Sequence, residues 1–281
     1  MKNVLVAMEP TPLLGSVLEI AFLTTERFNS YVEAIAVRTD VGDVGPIAEV
    51  YAPSRLPPPA KLGAEHARQE FESFMQTRGG LKAADAGPQP LAYGWRNDAT
   101  FSDVDVAAYA RSFDVTVFAR HALSDILDRQ NAFQATLFES GRPTLIAPPT
   151  VPATFGERVL IHWNGSTETA RTIALALPVL TQARSVLVLT LEGGVLQARA
   201  APGSGRRLVE HLALHGVKAT HKAAGLERHG PGETILTEAA AAGCDLIVKG
   251  AYTQSRFRQM MFGGATSHIL AKSELPVLMA H

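Results

Sequence analysis

Cys244-Asp245-Leu246-Ile247-Val248-Lys249-Gly250 has a counterpart in the middle of the chain, Phe113-Asp114-Val115-Thr116-Val117-Phe118-Ala119. In both, an aspartate leads into a short β-branched run of strand length that ends on a small residue. A run with little polar alternation fits a strand covered on both faces, as parallel strands between helices are. The flanking phrases repeat too. Val4-Leu5-Val6-Ala7 sets against Val159-Leu160-Ile161-His162, and Gly141-Arg142-Pro143-Thr144-Leu145-Ile146-Ala147 against Glu274-Leu275-Pro276-Val277-Leu278-Met279-Ala280. Repetition over this length marks a duplicated domain and not a small solenoid repeat.

Between these phrases, short strands alternate with helical periodicity, the pattern of βαβ units feeding a parallel sheet. The first half reads as strands at 4–8, 31–37, 91–95, 115–118 and 144–147, with helices at 13–28, 61–77, 100–112 and 125–139. The second reads as strands at 159–163, 186–191, 217–221, 246–249 and 277–280, with helices at 167–181, 204–215, 233–242 and 266–272. Ser166 is the expected N-cap of the helix at 167. The Pro- and Gly-rich stretch from Thr39 to Pro59 reads as loop, and Pro148-Pro149-Thr150-Val151-Pro152 as a stiff linker. The expected domains are therefore 1–148 and 157–281, joined by a linker over 149–156.

Composition bounds the function. The chain has 281 residues, 46% of them hydrophobic, so it has the material for a buried core. Its 26 Lys and Arg against 27 Asp and Glu give a net charge of -1, which argues against nucleic acid or an acidic membrane as partner. The longest apolar stretches, such as Ile173 to Leu180, fall short of a membrane span. Glu9 and Pro10 stand where a signal peptide would be apolar, so a cytoplasmic location is expected. The single cysteine, Cys244, excludes an internal disulfide and a multi-cysteine metal site.

These phrases resemble the universal stress protein family in its tandem, two-domain form. Three stretches of the second half carry the match: Val159 to Ser166, Cys244 to Gly250, and Gly263-Gly264-Ala265-Thr266 running on to Leu278. Phe138-Glu139-Ser140-Gly141-Arg142-Pro143 is similar to the family's closing helix and strand in the first half. The resemblance implies an α/β fold of two doubly wound domains, each a five-stranded parallel sheet flanked by helices. It also implies pairing through the last strand. Thr144 to Ala147 and Val277 to Ala280 are short apolar strands, and a bare apolar edge invites a partner. The two halves can thus cap each other as a pseudo-dimer, which leaves a homodimer open.

Members of the family that bind ATP carry Gly-x2-Gly-x9-Gly followed by Ser or Thr after the fourth strand. Glycines let the backbone close on phosphate, and N–H groups at the next helix start face the anion. The corresponding positions here are Gly250, Thr253, Gly263 and Gly264; the first and third match, and the other two depart. Thr266 offers a hydroxyl two residues on, Ala265 lies between, and Ser255, Arg256 and Arg258 stand in the loop. The family's aspartate after the first strand is Asn164 here, followed by Gly165. Asparagine keeps an acceptor for ribose or base, adds donors and drops the charge. The loop has two readings: an adenine-nucleotide site taking ATP with magnesium, or a glycine-rich connection kept for tight turns. The first half lacks the equipment, because Ala119 replaces the first glycine and none comes after it until Gly141.

Other signals are weaker. Gly203-Ser204-Gly205-Arg206-Arg207 lacks the third glycine and the adjoining strand of a dinucleotide fingerprint. His211 and His215 share a helix face without a third ligand. His162 reads as a packed core histidine and Cys244 as a small hydrophobe. No nucleophile elbow, Walker loop or His-Glu-x-x-His occurs. The expectation is a stress-response binding or regulatory module and not a turnover enzyme. A ligand-free scaffold engaging an unidentified protein, and a slow ATP hydrolase, are the alternatives.

Overall fold

A strand buried on both faces needs neighbours on both edges, and the two halves of the chain satisfy that need in one continuous sheet. The computed structural model describes residues 1–38, 59–83, 89–96, 100–120, 131–193, 200–226, 230–251 and 264–281. The first half runs β1 (Asn3–Met8), α1 (Leu14–Phe28), β2 (Tyr31–Ala36), α2 (Pro59–Thr77), β3 (Leu81–Lys82), β4 (Ala92–Trp95), α3 (Asp103–Ala110), β5 (Val115–Ala119), α4 (Ala132–Glu139) and β6 (Thr144–Ala147). The second runs β7 (Arg158–His162), α5 (Thr167–Leu180), β8 (Ser185–Glu192), α6 (Ser204–Leu214), β9 (Ala219–Gly225), α7 (Pro231–Ala241), β10 (Leu246–Gly250), α8 (Gly264–Lys272) and β11 (Val277–Ala280).

The strands lie in the order β3-β4-β2-β1-β5-β6-β11-β10-β7-β8-β9. Every described pairing is parallel except β6 with β11, where Ile146, Leu145 and Thr144 face Val277, Leu278 and Met279 antiparallel. The two last strands therefore cap each other, as their apolar edges require. Arg120 crosses the junction to donate to the Ser273 carbonyl at 3.0 Å. Because the junction is antiparallel, the carboxyl ends of the two halves' strands point to opposite edges of the sheet.

Each face of the sheet carries one core that spans both halves. α1, α2, α5 and α6 cover one face over Val6, Val117, Ile161 and Val248. α3, α4, α7 and α8 cover the other over Leu5, Phe118, Leu160 and Ile247. The repeated aspartate explains why each half closes on its first strand. Asp245 accepts the N–H groups of Glu157 (3.1 Å) and Arg158 (2.9 Å) and the Thr154 hydroxyl (2.6 Å). Asp114 does the same for the N–H groups of Lys2 and Asn3. In both halves the carboxylate leading into the fourth main strand ties down the start of the first.

Several boundaries differ from expectation. The first half has a sixth strand, the two-residue β3 beside β4. β9 does not end at His221 but continues to Gly225, in register with β8 from Val186↔Ala219 to Glu192↔Gly225. Ala223, Ala224 and Gly225 are poor strand formers, and pairing overrides their propensity. α4 starts at Ala132, with the Asn131 side chain accepting from the Gln134 N–H. α7 opens two residues early because Pro231 suits a first helical position. The Thr39 to Pro58 segment, the helix start expected at Asp125, and Thr253, Ser255, Arg256, Arg258 and Gly263 lie outside the described residues.

Candidate functional site

Within the second half the strand order is β9-β8-β7-β10-β11, so the chain leaves β7 on one side and returns on the other to form β10. Ligands of open α/β sheets bind at such a switch point, beyond the carboxyl ends of the strands. β7 and β10 run side by side from Leu246↔Val159 to Lys249↔His162. The segments that leave their carboxyl ends build the site.

After β7 comes Trp163, then Asn164 and Gly165. Gly165 takes a left-handed φ of 73°, which turns the chain into α5 and suits glycine. Ser166 caps α5 by accepting the Thr169 N–H at 3.2 Å. Asn164 Oδ1 accepts twice more, from the Ser166 N–H at 3.1 Å and the Thr169 hydroxyl at 2.7 Å. Its acceptor is thus spent on the turn, which leaves the Nδ2 donors as the group it can offer. Trp163 Nε1 donates to Ser204 Oγ at 3.1 Å, which pins the start of α6 to the same edge.

Gly250 ends β10 against this turn. A Cβ there would lie 2.5 Å from the Thr169 nitrogen and 2.6 Å from its hydroxyl oxygen. Close packing of α5 on β10 therefore requires the glycine at this position, before any phosphate is considered.

Lys249 breaks the alternation of β10. Ile247, two residues before it, faces the core under α7 and α8, and Lys249 comes next on that same face, 3% exposed. Its ammonium donates to the Gly250 carbonyl and to Thr266 Oγ1, both at 2.8 Å. Thr266 belongs to the first turn of α8. Burial pushes the Lys249 pKa down to about 7. His162, its register neighbour, is pushed down to about 3 by burial and then by the Lys249 charge.

The structure thus gathers Asn164, Gly165, Gly250 and Thr266 at one edge, with Gly264 and Ala265 in the same helix start as Thr266. Thr253, Ser255, Arg256 and Gly263 are outside the described residues. Lys249 was missed by sequence reasoning, although the repeat held the signal: it stands where Phe118 stands in the first half, and Phe118 is fully buried. The weaker signals resolve into packing. A Cβ on Gly205 would meet His221 Nε2 at 2.4 Å, so that glycine admits the helix to β8 and β9. The His211 and His215 rings meet edge to face, with centroids 4.9 Å apart. Among the described residues, no group of three or more His, Cys, Asp or Glu is placed to hold a metal. Cys244 is buried, its thiol pushed up to about 11 by burial and the neighbouring Asp245.

The profile of the universal stress protein family matches residues 166–281. The match runs through most of the second half, from Ser166 to His281, which is therefore similar to a universal stress protein domain. A stretch of 49 residues is 37% identical to the stress response protein NhaX of Bacillus subtilis (strain 168), covering 17% of this chain and 30% of that protein. Among solved structures, a universal stress protein from Archaeoglobus fulgidus DSM 4304 superposes with a TM-score of 0.69 at 14% identity, over 99% of this chain and 95% of its own. A functionally unknown protein from Pseudomonas aeruginosa PAO1 gives 0.59 at 14% identity, over 100% and 92%. At that identity the likeness concerns the fold alone, and it runs over both halves. Among the described residues, no helix is long and apolar enough to cross a membrane.

Proposed function

We propose that the second domain binds an adenine nucleotide at the carboxyl ends of β7 and β10, and that the protein is a cytoplasmic stress-response module that binds and does not turn over its ligand. One observation carries this reading: the Asn164 turn, Gly250 and the first turn of α8 converge at the switch point, with Lys249 and Thr266 beneath that helix start. The first-turn N–H groups of a helix have no partner within the helix and suit a phosphate. Asn164 Nδ2 would meet an acceptor on the ribose or base. A magnesium ion would arrive with the phosphates, since among the described residues no group of three or more His, Cys, Asp or Glu is placed to hold one.

The first half, with Ala119 in the place of Gly250 and Met8 and Glu9 near that of Asn164, acts as the scaffold that covers β11. Calorimetric titration of the purified protein with ATP and magnesium tests the reading. Saturable micromolar binding, or adenine nucleotide released on acid extraction, is expected. No heat and no released nucleotide would leave the protein-interaction scaffold as the better account.

A further inference from the structure

We propose that Lys249 supplies the positive charge for a phosphoryl group held against the first turn of α8, and that the site takes up one proton when that group binds. The proposal rests on the nucleotide reading above and names what that ligand must bring. Three features of the place make a lone ammonium unfavourable. It is 3% exposed, so it has lost its hydration. It sits under the N-terminal end of α8, where the helix dipole favours anions and opposes cations. Among the described residues no carboxylate stands within ion-pair distance of it.

The groups around it do not supply the missing charge. On β7, its neighbour is His162, a base. On β11, the register partner is Met279. Where α7 meets α8, Glu233 is already bonded to His268 at 2.8 Å. On the opposite face, Glu168 lies with Arg171 and His281. Nor does the fold require a cation at this position, because the first half places Phe118 there and buries it fully.

An anion reverses all three penalties at once. It offers the ammonium an ion pair, it suits the helix end, and it accepts the third hydrogen that Gly250 and Thr266 leave over. Free, Lys249 loses its proton near neutral pH, so at pH 8 the amine is largely neutral. Binding then proceeds as amine plus phosphoryl anion plus one proton from the buffer, giving ammonium paired with the anion.

The test is calorimetric titration of the full chain with ATP at pH 8 in two phosphate-free buffers of different ionisation enthalpy. The slope of heat against buffer enthalpy gives the protons taken up. The second ionisation of an esterified phosphate lies near pH 6 and contributes little there. The expected uptake is close to one proton per ATP, with affinity falling up to tenfold per pH unit above neutrality. Lys249→Met should abolish the uptake and weaken ATP at pH 7 at least tenfold. Inorganic phosphate binding with the same uptake would identify free phosphate as a sufficient ligand, whereas uptake with ATP alone assigns the contact to the nucleotide. ATP binding without uptake, or equal uptake in Lys249→Met, overturns this proposal and leaves the nucleotide reading standing. No binding of ATP or phosphate at pH 7 or 8 removes both.

Discussion

Replacing Lys249 with methionine should change how stability depends on pH, with no ligand involved. Lysine in an unfolded chain titrates near 10.4, whereas burial holds Lys249 near 7. Between those values the unfolded chain carries the proton and the folded one does not. Raising the pH through that window therefore favours the folded state, by at most ~1.4 kcal/mol per unit. From pH 7 to pH 9 the gain is about 2 kcal/mol from this residue alone. Methionine has similar length and no charge, so the variant lacks this term. Urea denaturation of both proteins at pH 7, 8 and 9 reads the difference. Other groups, such as Cys244 and Tyr31, titrate alike in both and cancel. Lys249→Met should be the more stable protein at pH 7, with the gap closing by about 2 kcal/mol at pH 9. Parallel curves would refute the reasoning, because they would mean that Lys249 keeps an ordinary environment.

The remaining predictions concern its neighbours. His162 titrates near 3 in the folded protein, so acidification from pH 7 to 5 should cost about 2 kcal/mol that His162→Leu does not lose, again by urea denaturation. Gly250→Ala places a carbon 2.5 Å from the Thr169 nitrogen, and the start of α5 must shift, costing ~1–3 kcal/mol in thermal unfolding and weakening any nucleotide. Asn164→Ala removes the acceptor of two hydrogen bonds in that turn and should cost ~1 kcal/mol, whereas Asn164→Asp should retain most of the stability. Asp245→Ala leaves two backbone N–H groups and the Thr154 hydroxyl without their acceptor, and should cost ~2–4 kcal/mol in chemical denaturation.

The main strands and their alternation with helices were legible because apolar runs such as Leu246 to Val248 have few ways to be buried. The edge pairing of β6 with β11 was legible for the same reason. The extension of β9 was not, since Ala223 to Gly225 carry no strand signal of their own and pair along β8. β3 is two exposed residues, below any periodic signal. At the site, Ser166 could be read as a cap from its place before α5, whereas Asn164 came from the resemblance to the family. Gly250 was legible as a glycine that mattered, but its reason in the structure, contact with Thr169, joins segments far apart in sequence. Lys249 was hidden because a lysine at the end of a strand reads as a solvated flank. The repeat sets it against Phe118, and the alternation of β10 against α8 shows that it points inward.

The central claim is that a nucleotide sits at the carboxyl ends of β7 and β10, and Trp163 stands at that edge as a reporter. The chain has two tryptophans, and the other, Trp95, packs on Phe71 in the first half, so Trp95→Phe leaves Trp163 as the sole indole signal. Titrating that variant with ATP should give a saturable change in Trp163 fluorescence, with the same midpoint as the calorimetric heat. Heat without a fluorescence change would place the nucleotide elsewhere on the molecule and contradict the account.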